Sequence, residues 1–122
     1  MNNFEFSEKM KTRTKAFAVQ IVKFYKMLPK TDDARVLGRQ VLRSGTSVAA
    51  NYRAVCRAKS QADFISKMGT VVEEADESLL WLELFEEAEV CAADKLPELK
   101  HEADELLRIF SAALGTAKRE TH

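Results

Sequence analysis

Glycine and proline are scarce in this chain, which has four glycines and two prolines in 122 residues. An all-β protein needs many tight turns, so the composition argues against that class. The two cysteines, Cys56 and Cys91, have no CxxC partner, which argues against a disulfide framework. The first residues lack the apolar run of a signal peptide, and no segment reaches transmembrane length. We therefore predict a reduced, cytoplasmic protein with no membrane association.

Residues for catalysis or metal binding are also few. Glu98 and His101 form one Glu-x-x-His motif, whereas di-iron bundles need two such motifs. No Cys/His pair, glycine-rich phosphate loop or Ser-His-Asp set is recognisable. The carboxylates between Glu73 and Glu89 could form a metal site, but a charged surface facing basic helices is the interpretation we favour. We predict no enzymatic activity, no cofactor and no metal.

The apolar residues that are present recur every three or four positions, which is typical of amphipathic helices. Hydrophobic residues are 46% and charged residues 31% of the chain, a balance typical of a globular protein. Short connections between the helices predict an all-α, antiparallel up-down-up-down four-helix bundle in a single domain, 1–122. Ser7, Thr31 or Asp32, and Ser60 are candidate helix N-caps. The predicted helices cover about 8–28, 32–58, 61–90 and 94–118.

The second predicted helix is the element around which the chain is organised. Its small residues allow a neighbouring helix to approach closely, and Gln40 and Asn51 could hydrogen-bond across that contact. The register of the next helix predicts an ion pair from Arg43 to Glu74 and another from Arg39 to Glu77 or Asp76. Polar residues on one side of this helix form what we call the polar ribbon, with a structural role: Gln40, Arg43, Ser44, Ser47 and Asn51.

The third predicted helix is apolar around much of its circumference. Leu80, Trp81 and Leu84 lie off the apolar stripe that faces the core. A helix that buries one face does not need such residues, so we predict that they form an interface with another copy of the chain. The alternative is a broad intramolecular core.

Charge is divided unequally along a chain of zero net charge. Residues 1–60 hold 13 basic and 4 acidic residues, and residues 61–122 hold 6 and 15. The two halves are therefore predicted to pair, within the chain or between copies. Seven basic residues are candidate phosphate contacts, although the neutral net charge argues against nucleic-acid binding: Lys9, Lys11, Arg13, Lys15, Arg53, Arg57 and Lys59.

The second and third helices carry a family resemblance. The stretch LGRQVLRSGTSVAANYRAVCRAKSQADFISKM, followed by VVEEADESLLWLELFEEA, resembles the four-helix-bundle family of 23S rRNA intervening-sequence proteins. The resemblance covers about residues 17–118. The chain departs from the family pattern at residues 52–54, where many relatives read Ile-x-Glu-Gly, which leaves the end of the second helix open.

The resemblance implies a small cytoplasmic bacterial bundle that forms a ring-shaped homo-oligomer, a pentamer, without known enzymatic activity. A related branch comprises the accessory variability determinant proteins of retroelements, which bind a reverse transcriptase and nucleic acid. Two hypotheses follow: a non-catalytic oligomeric scaffold that binds an unidentified protein partner, and an accessory protein that binds RNA or DNA through its basic half.

Overall fold

Four α-helices account for most of residues 3–92 and 94–120, the parts of the chain that the computed structural model describes. They are α1 (Asn3–Lys26), α2 (Asp32–Val55), α3 (Gln61–Glu87) and α4 (Leu96–Glu120). Helices adjacent in sequence pack against each other, and α4 closes the bundle by a sparser contact with α1. The predicted all-α four-helix fold is confirmed.

Neighbouring helices run in opposite directions. As residue numbers rise along one helix, the numbers of the residues that they contact on the next helix fall. This holds between α1 and α2 and between α3 and α4. The pairs that show this are Leu28 with Gly38, Ile21 with Gly45, Gln61 with Ala117, and Glu86 with Lys100. Between α2 and α3, Ser44 meets Ser78 while Tyr52 and Phe64 line one cavity near the connecting turn, so these helices also run in opposite directions and the order is up-down-up-down.

Side-chain caps fix the starts of α2 and α3 where the sequence predicts them. Thr31 is the N-cap of α2, and its hydroxyl accepts a hydrogen bond from the Ala34 amide. Ser60 is the N-cap of α3 and accepts from the Asp63 amide at 3.0 Å. The Asp63 carboxylate in turn accepts from the Lys59 amide at 3.0 Å. The bonds to Ala34 and Asp63 satisfy first-turn amides that have no partner within their helices, and the bond from Lys59 ties the preceding residue to the first turn of α3.

The outer helices differ from their predicted bounds. α1 begins at Asn3, so Ser7 lies inside the helix and the prediction that it is the N-cap was wrong. Phe6 packs against the core, and its burial stabilises the added first turn. α4 begins at Leu96 and ends at Glu120, two residues later than predicted at each end.

α3 ends at Glu87, three residues before the predicted end, through a Schellman motif built without glycine. Glu89 adopts the left-handed conformation with φ of 54°. The Val90 amide donates to the Phe85 carbonyl at 3.0 Å, and the Glu89 amide donates to the Glu86 carbonyl at 3.2 Å. Val90 packs against the core, which is the hydrophobic contact that accompanies this motif.

α2 ends at Val55, because the chain then tightens into shorter turns. The amides of Arg57 and Ala58 donate to the carbonyls three residues earlier, those of Ala54 and Val55. The predicted end at residue 58 therefore included a turn that is not α-helical. α1 likewise ends at Lys26, two residues before its predicted end.

α2 approaches α1 closely at two glycines, and the approach is tightest at Gly45. A Cβ atom added to Gly45 would lie 2.9 to 3.2 Å from three atoms of Ile21, including its branched Cβ. A Cβ on Gly38 would lie 2.7 Å from Leu28 Cδ1. The small residues of α2 therefore serve two neighbours: these glycines face α1, and Ser44 faces α3.

The interface between α2 and α3 contains a buried hydrogen-bonded pair. The Ser78 hydroxyl donates to Ser44 Oγ at 2.9 Å, and both residues are fully buried. Arg43 pairs with Glu74 at 3.1 Å, which confirms that predicted ion pair. Arg43 also pairs with Glu77. Among the described residues Arg39 forms no ion pair with Glu77 or Asp76, so that prediction was wrong.

The sparse contact between α1 and α4 includes an ion-pair network centred on Arg13. Arg13 Nη2 lies 2.7 Å from Glu102 and 2.6 Å from Glu105, and Arg13 Nε donates to Glu102 at 2.8 Å. Hydrogen bonds to these carboxylates raise the pKa of Arg13. The same contact lowers the pKa of Glu105.

Two further sequence predictions concern cysteines and membrane spans. Cys56 and Cys91 are both free thiols, as predicted. Within residues 3–92 and 94–120, no helix has an apolar stretch long enough to cross a bilayer.

We expect Gly45→Ala to destabilise the protein although alanine is the better helix former. Overpacking costs about 1–3 kcal/mol, and alanine recovers about 1 kcal/mol of helix propensity, so the net loss reaches about 2 kcal/mol. Urea unfolding measures this difference. Gly69→Ala is the matched control, because an added Cβ there meets nothing within 4 Å. A gain in stability for both variants would contradict the close approach of α2 to α1.

We expect Arg13→Gln to lower stability by about 1 kcal/mol at pH 7, because a bidentate, partly buried ion pair is lost. The pKa of Glu105 is lowered in the folded state, so its contribution is complete above its unfolded pKa of about 4.3 and is lost as pH falls further. Urea unfolding at several pH values should show the difference from the native chain shrinking below about pH 4. A difference that stays constant down to pH 3 would contradict this account.

Candidate functional site

A basic groove lies between the first half of α1 and the end of α2. It has a volume of about 470 Å³. Helical spacing places its residues on one face of each helix, at positions 8, 11, 12 and 15 of α1 and at positions 53, 56 and 57 near the end of α2. The residues that line the basic groove are Glu8, Lys11, Thr12, Lys15, Arg53, Cys56 and Arg57.

Positive charge dominates this groove. Four cations face one carboxylate, Glu8, and that carboxylate is 2.6 Å from Lys11. Arg53 lies in the last turn of α2, where a cation interacts favourably with the partial negative charge of the helix end. Within the described ranges, no carboxylate pairs with Lys15, Arg53 or Arg57. The groove therefore offers three to four cations to an anion from solvent.

The structure brings together four of the seven basic residues that the sequence singled out, namely Lys11, Lys15, Arg53 and Arg57. The other three lie elsewhere. Lys9 is exposed outside the groove, and Arg13 is held by Glu102 and Glu105. Lys59 lines a separate cleft at the end of the bundle.

Helical spacing alone distinguishes the basic residues of α1 that share one face from those that point away from it. Lys11 and Lys15 are four positions apart and share a face, whereas Lys9 and Arg13 are each two positions from Lys11 and point away from it. The sequence prediction also missed Thr12 and Cys56. Their spacing from Lys15 and Arg53, three residues in each case, is the signal that identifies them.

The residues predicted to form an oligomer interface fall into two groups. Trp81 is half-buried and packs against the core, and its indole Nε1 is buried without an acceptor among the described residues. Leu84 is also half-buried, but Leu80 is 45% exposed. The run around Trp81 therefore contributes in part to the intramolecular core, while Leu80 faces solvent.

The polar ribbon of α2 is only partly a cross-helix contact. Ser44 makes the hydrogen bond to α3, and Arg43 makes the ion pairs. Asn51 instead donates to the Ser47 carbonyl of its own helix at 2.9 Å. Gln40 is half-buried, and no hydrogen bond from it is present in the described part of the chain. The arrangement stabilises the bundle and contains no nucleophile with an adjacent base.

Comparison with known proteins gives the same fold. Residues 8–112 match the family model described as 23S rRNA-intervening sequence protein. A crystal structure of a protein of unknown function from the S23 ribosomal protein family of Bacteroides thetaiotaomicron is 33% identical, with a TM-score of 0.80. The alignment covers 89% of this chain and 97% of that one. No curated protein matches the chain.

The family match spans most of the bundle, from the first turns of α1 to the last turns of α4. It includes the α2–α3 contact and the whole basic groove. This chain belongs to the family of 23S rRNA-intervening sequence proteins.

Proposed function

We propose that this protein is a non-catalytic, cytoplasmic scaffold that assembles from several copies of itself and binds a partner macromolecule. One observation carries the self-assembly: Leu80 is exposed on the outward face of a strongly acidic helix. α3 holds eight acidic residues and one lysine. Glu73, Asp76 and Glu83 share the outward face with Leu80, because they are spaced by three or four residues.

The outward face of α1 has the opposite charge. Val19 is 43% exposed, and Lys23 and Lys26 lie on the same face at helical spacing. Both faces thus have an exposed aliphatic residue surrounded by charges, which are negative on α3 and positive on α1. Two α3 faces would repel each other, so the complementary contact joins α3 of one copy to α1 of the next.

A contact between two different faces is heterologous, and repeated heterologous contacts close into a ring when the rotation between copies permits. A ring of five is the number that the family resemblance implies. Such a ring places all the basic grooves at the same end of the assembly, since cyclic symmetry keeps every bundle in the same orientation.

A second candidate function is RNA binding, and the basic groove favours it. Lys11, Lys15, Arg53 and Arg57 converge from two helices without compensating carboxylates other than Glu8. Phosphate oxygens along a nucleic-acid strand are the ligands that such a row of cations fits. Several grooves in one assembly would bind one strand by avidity. The two candidates are therefore compatible.

We expect Leu80→Glu to reduce the mass of the assembly measured by light scattering, because it adds charge and removes the exposed aliphatic group. Leu84→Glu is expected to act in the same direction. Val36→Glu is the matched control, because Val36 is a 60% exposed aliphatic residue of α2, outside both faces. Circular dichroism verifies that helicity persists. A monomeric native chain at high concentration would overturn the scaffold proposal.

Charge reversal tests the pairing of α3 with α1. A variant with Lys23→Glu and Lys26→Glu has two acidic faces, and a variant with Glu73→Lys and Asp76→Lys has a more basic α3. Each is expected to assemble poorly alone, while an equimolar mixture gains mass because every contact between unlike copies pairs opposite charges. Strict alternation cannot close a ring of five, so the mixture is expected to form open or even-numbered assemblies. Sedimentation of the three samples measures this. Failure of the mixture to exceed either variant alone would contradict the α3–α1 contact.

RNA binding through the basic groove predicts a steep dependence on salt. For about four phosphate contacts with a single strand, the slope of log K against log salt is about −3. Lys15→Gln or Arg53→Gln should weaken binding and reduce the slope by about 0.7 each. Arg13→Gln removes a cation from the same helix but outside the groove, so it should leave binding unchanged. Equal losses for Lys15→Gln and Arg13→Gln would refute the groove as the site.

A further inference from the structure

A second cavity adjoins the basic groove at the end of the bundle where α1 and α3 begin and α2 and α4 end. We call it the end cleft. It has a volume of about 740 Å³, within the usual range of small-molecule sites. Cys56 lines both cavities, so the end cleft and the basic groove share one wall.

The lining of the end cleft combines aromatic rings with hydrogen-bonding groups. Phe6 and Phe64 are half-buried residues of the lining. Tyr52 also lines the cleft: it is 2% exposed, its ring packs on Phe110 with centroids 5.0 Å apart, and its hydroxyl interacts with Ser7 and Cys56 of the same lining. Gln61 donates through its amide nitrogen to the Ala117 carbonyl at 3.2 Å, which leaves its amide oxygen as an acceptor.

The charge of the end cleft differs from that of the groove. Lys59 and Glu120 contribute one charge of each sign to the lining. Burial is the main cause that raises the pKa of Tyr52, to about 12. A neutral, planar group with polar edges suits this lining better than a hydrocarbon chain or an anion does. A row of anions suits the adjoining groove.

We propose that the end cleft receives an unpaired nucleobase of a single-stranded RNA whose phosphates lie in the basic groove. Nucleobases stack on aromatic side chains, and their edges accept and donate hydrogen bonds to hydroxyl and amide groups. A base and the adjoining phosphates of its strand lie side by side, as the two cavities do across Cys56. This inference rests on the second candidate function and adds a preference for single strands over duplexes, whose bases are already paired.

Three probes of equal length separate the phosphate contribution from the base contribution. They are an eight-nucleotide RNA, an abasic strand with the same phosphates, and a duplex of the RNA. The full-length native chain is expected to bind the RNA about tenfold or more tighter than the abasic strand, since stacking on an aromatic side chain strengthens binding substantially. The duplex is expected to bind no better than the abasic strand.

Phe6→Ala is expected to remove the advantage of the RNA while leaving the affinity for the abasic strand unchanged. The unchanged abasic affinity also shows that the variant is folded around an intact groove. Phe4→Ala is the matched control, because Phe4 is a 73% exposed ring on the same turn that does not line the cleft. Phe64→Ala provides a second variant and is expected to give the same loss as Phe6→Ala.

Equal affinity for the RNA and the abasic strand would overturn this inference and leave phosphate binding by the groove in place. Binding of neither strand would overturn both the inference and the second candidate function. A preference for RNA that persists in both Phe6→Ala and Phe64→Ala would place the base outside the end cleft.

Discussion

The bundle depends on the close packing of α2 between α1 and α3. On one side, Gly45 has no side chain and Ile21 fills the space that a Cβ atom would need. On the other side, Ser44 and Ser78 meet through a hydrogen bond in a fully buried interface. Small residues allow backbones to approach, and a buried hydroxyl without a partner would cost free energy, so the pair also fixes the register of the two helices.

This packing has a consequence for charge. α2 brings the basic first half of the chain and the acidic second half into one bundle, and Arg43 joins them through Glu74 and Glu77. Arg13 does the same between α1 and α4. These pairs neutralise only part of the charge. The cations of the basic groove and the carboxylates on the outward face of α3 remain exposed to solvent, where they are available to other molecules.

The surfaces that support the two candidate functions lie on different parts of the molecule. The outward faces of α1 and α3 have exposed aliphatic residues among opposite charges, which favours association between copies. The basic groove and the end cleft meet at the end of the bundle where α2 finishes. An assembly that uses the helix faces would leave the bundle ends accessible, so one molecule can serve as a scaffold and as a binding protein. Membership of the family fixes the fold, and function depends on the particular residues of these surfaces.

The sequence alone determined the number of helices, their class and two of their starts. Apolar spacing of three and four residues identifies the helices, and the hydroxyls of Thr31 and Ser60 cap α2 and α3 because capping is a local interaction. Only the tertiary structure decided where the ends fall when packing overrides local signals. Phe6 extends α1 by packing on the core, whereas Val90 packs on the core in the glycine-free Schellman motif that ends α3.

The same division applies to the candidate sites. The sequence showed which residues are basic, but it could not show that Arg13 is held by α4 while Lys15 remains in the groove, because that depends on a helix about ninety residues away. It also indicated an apolar excess around Trp81, and the fold placed Trp81 against the core and Leu80 in solvent. Periodicity assigns a residue to a face of its own helix, whereas the partner of that face exists only once the helices have packed.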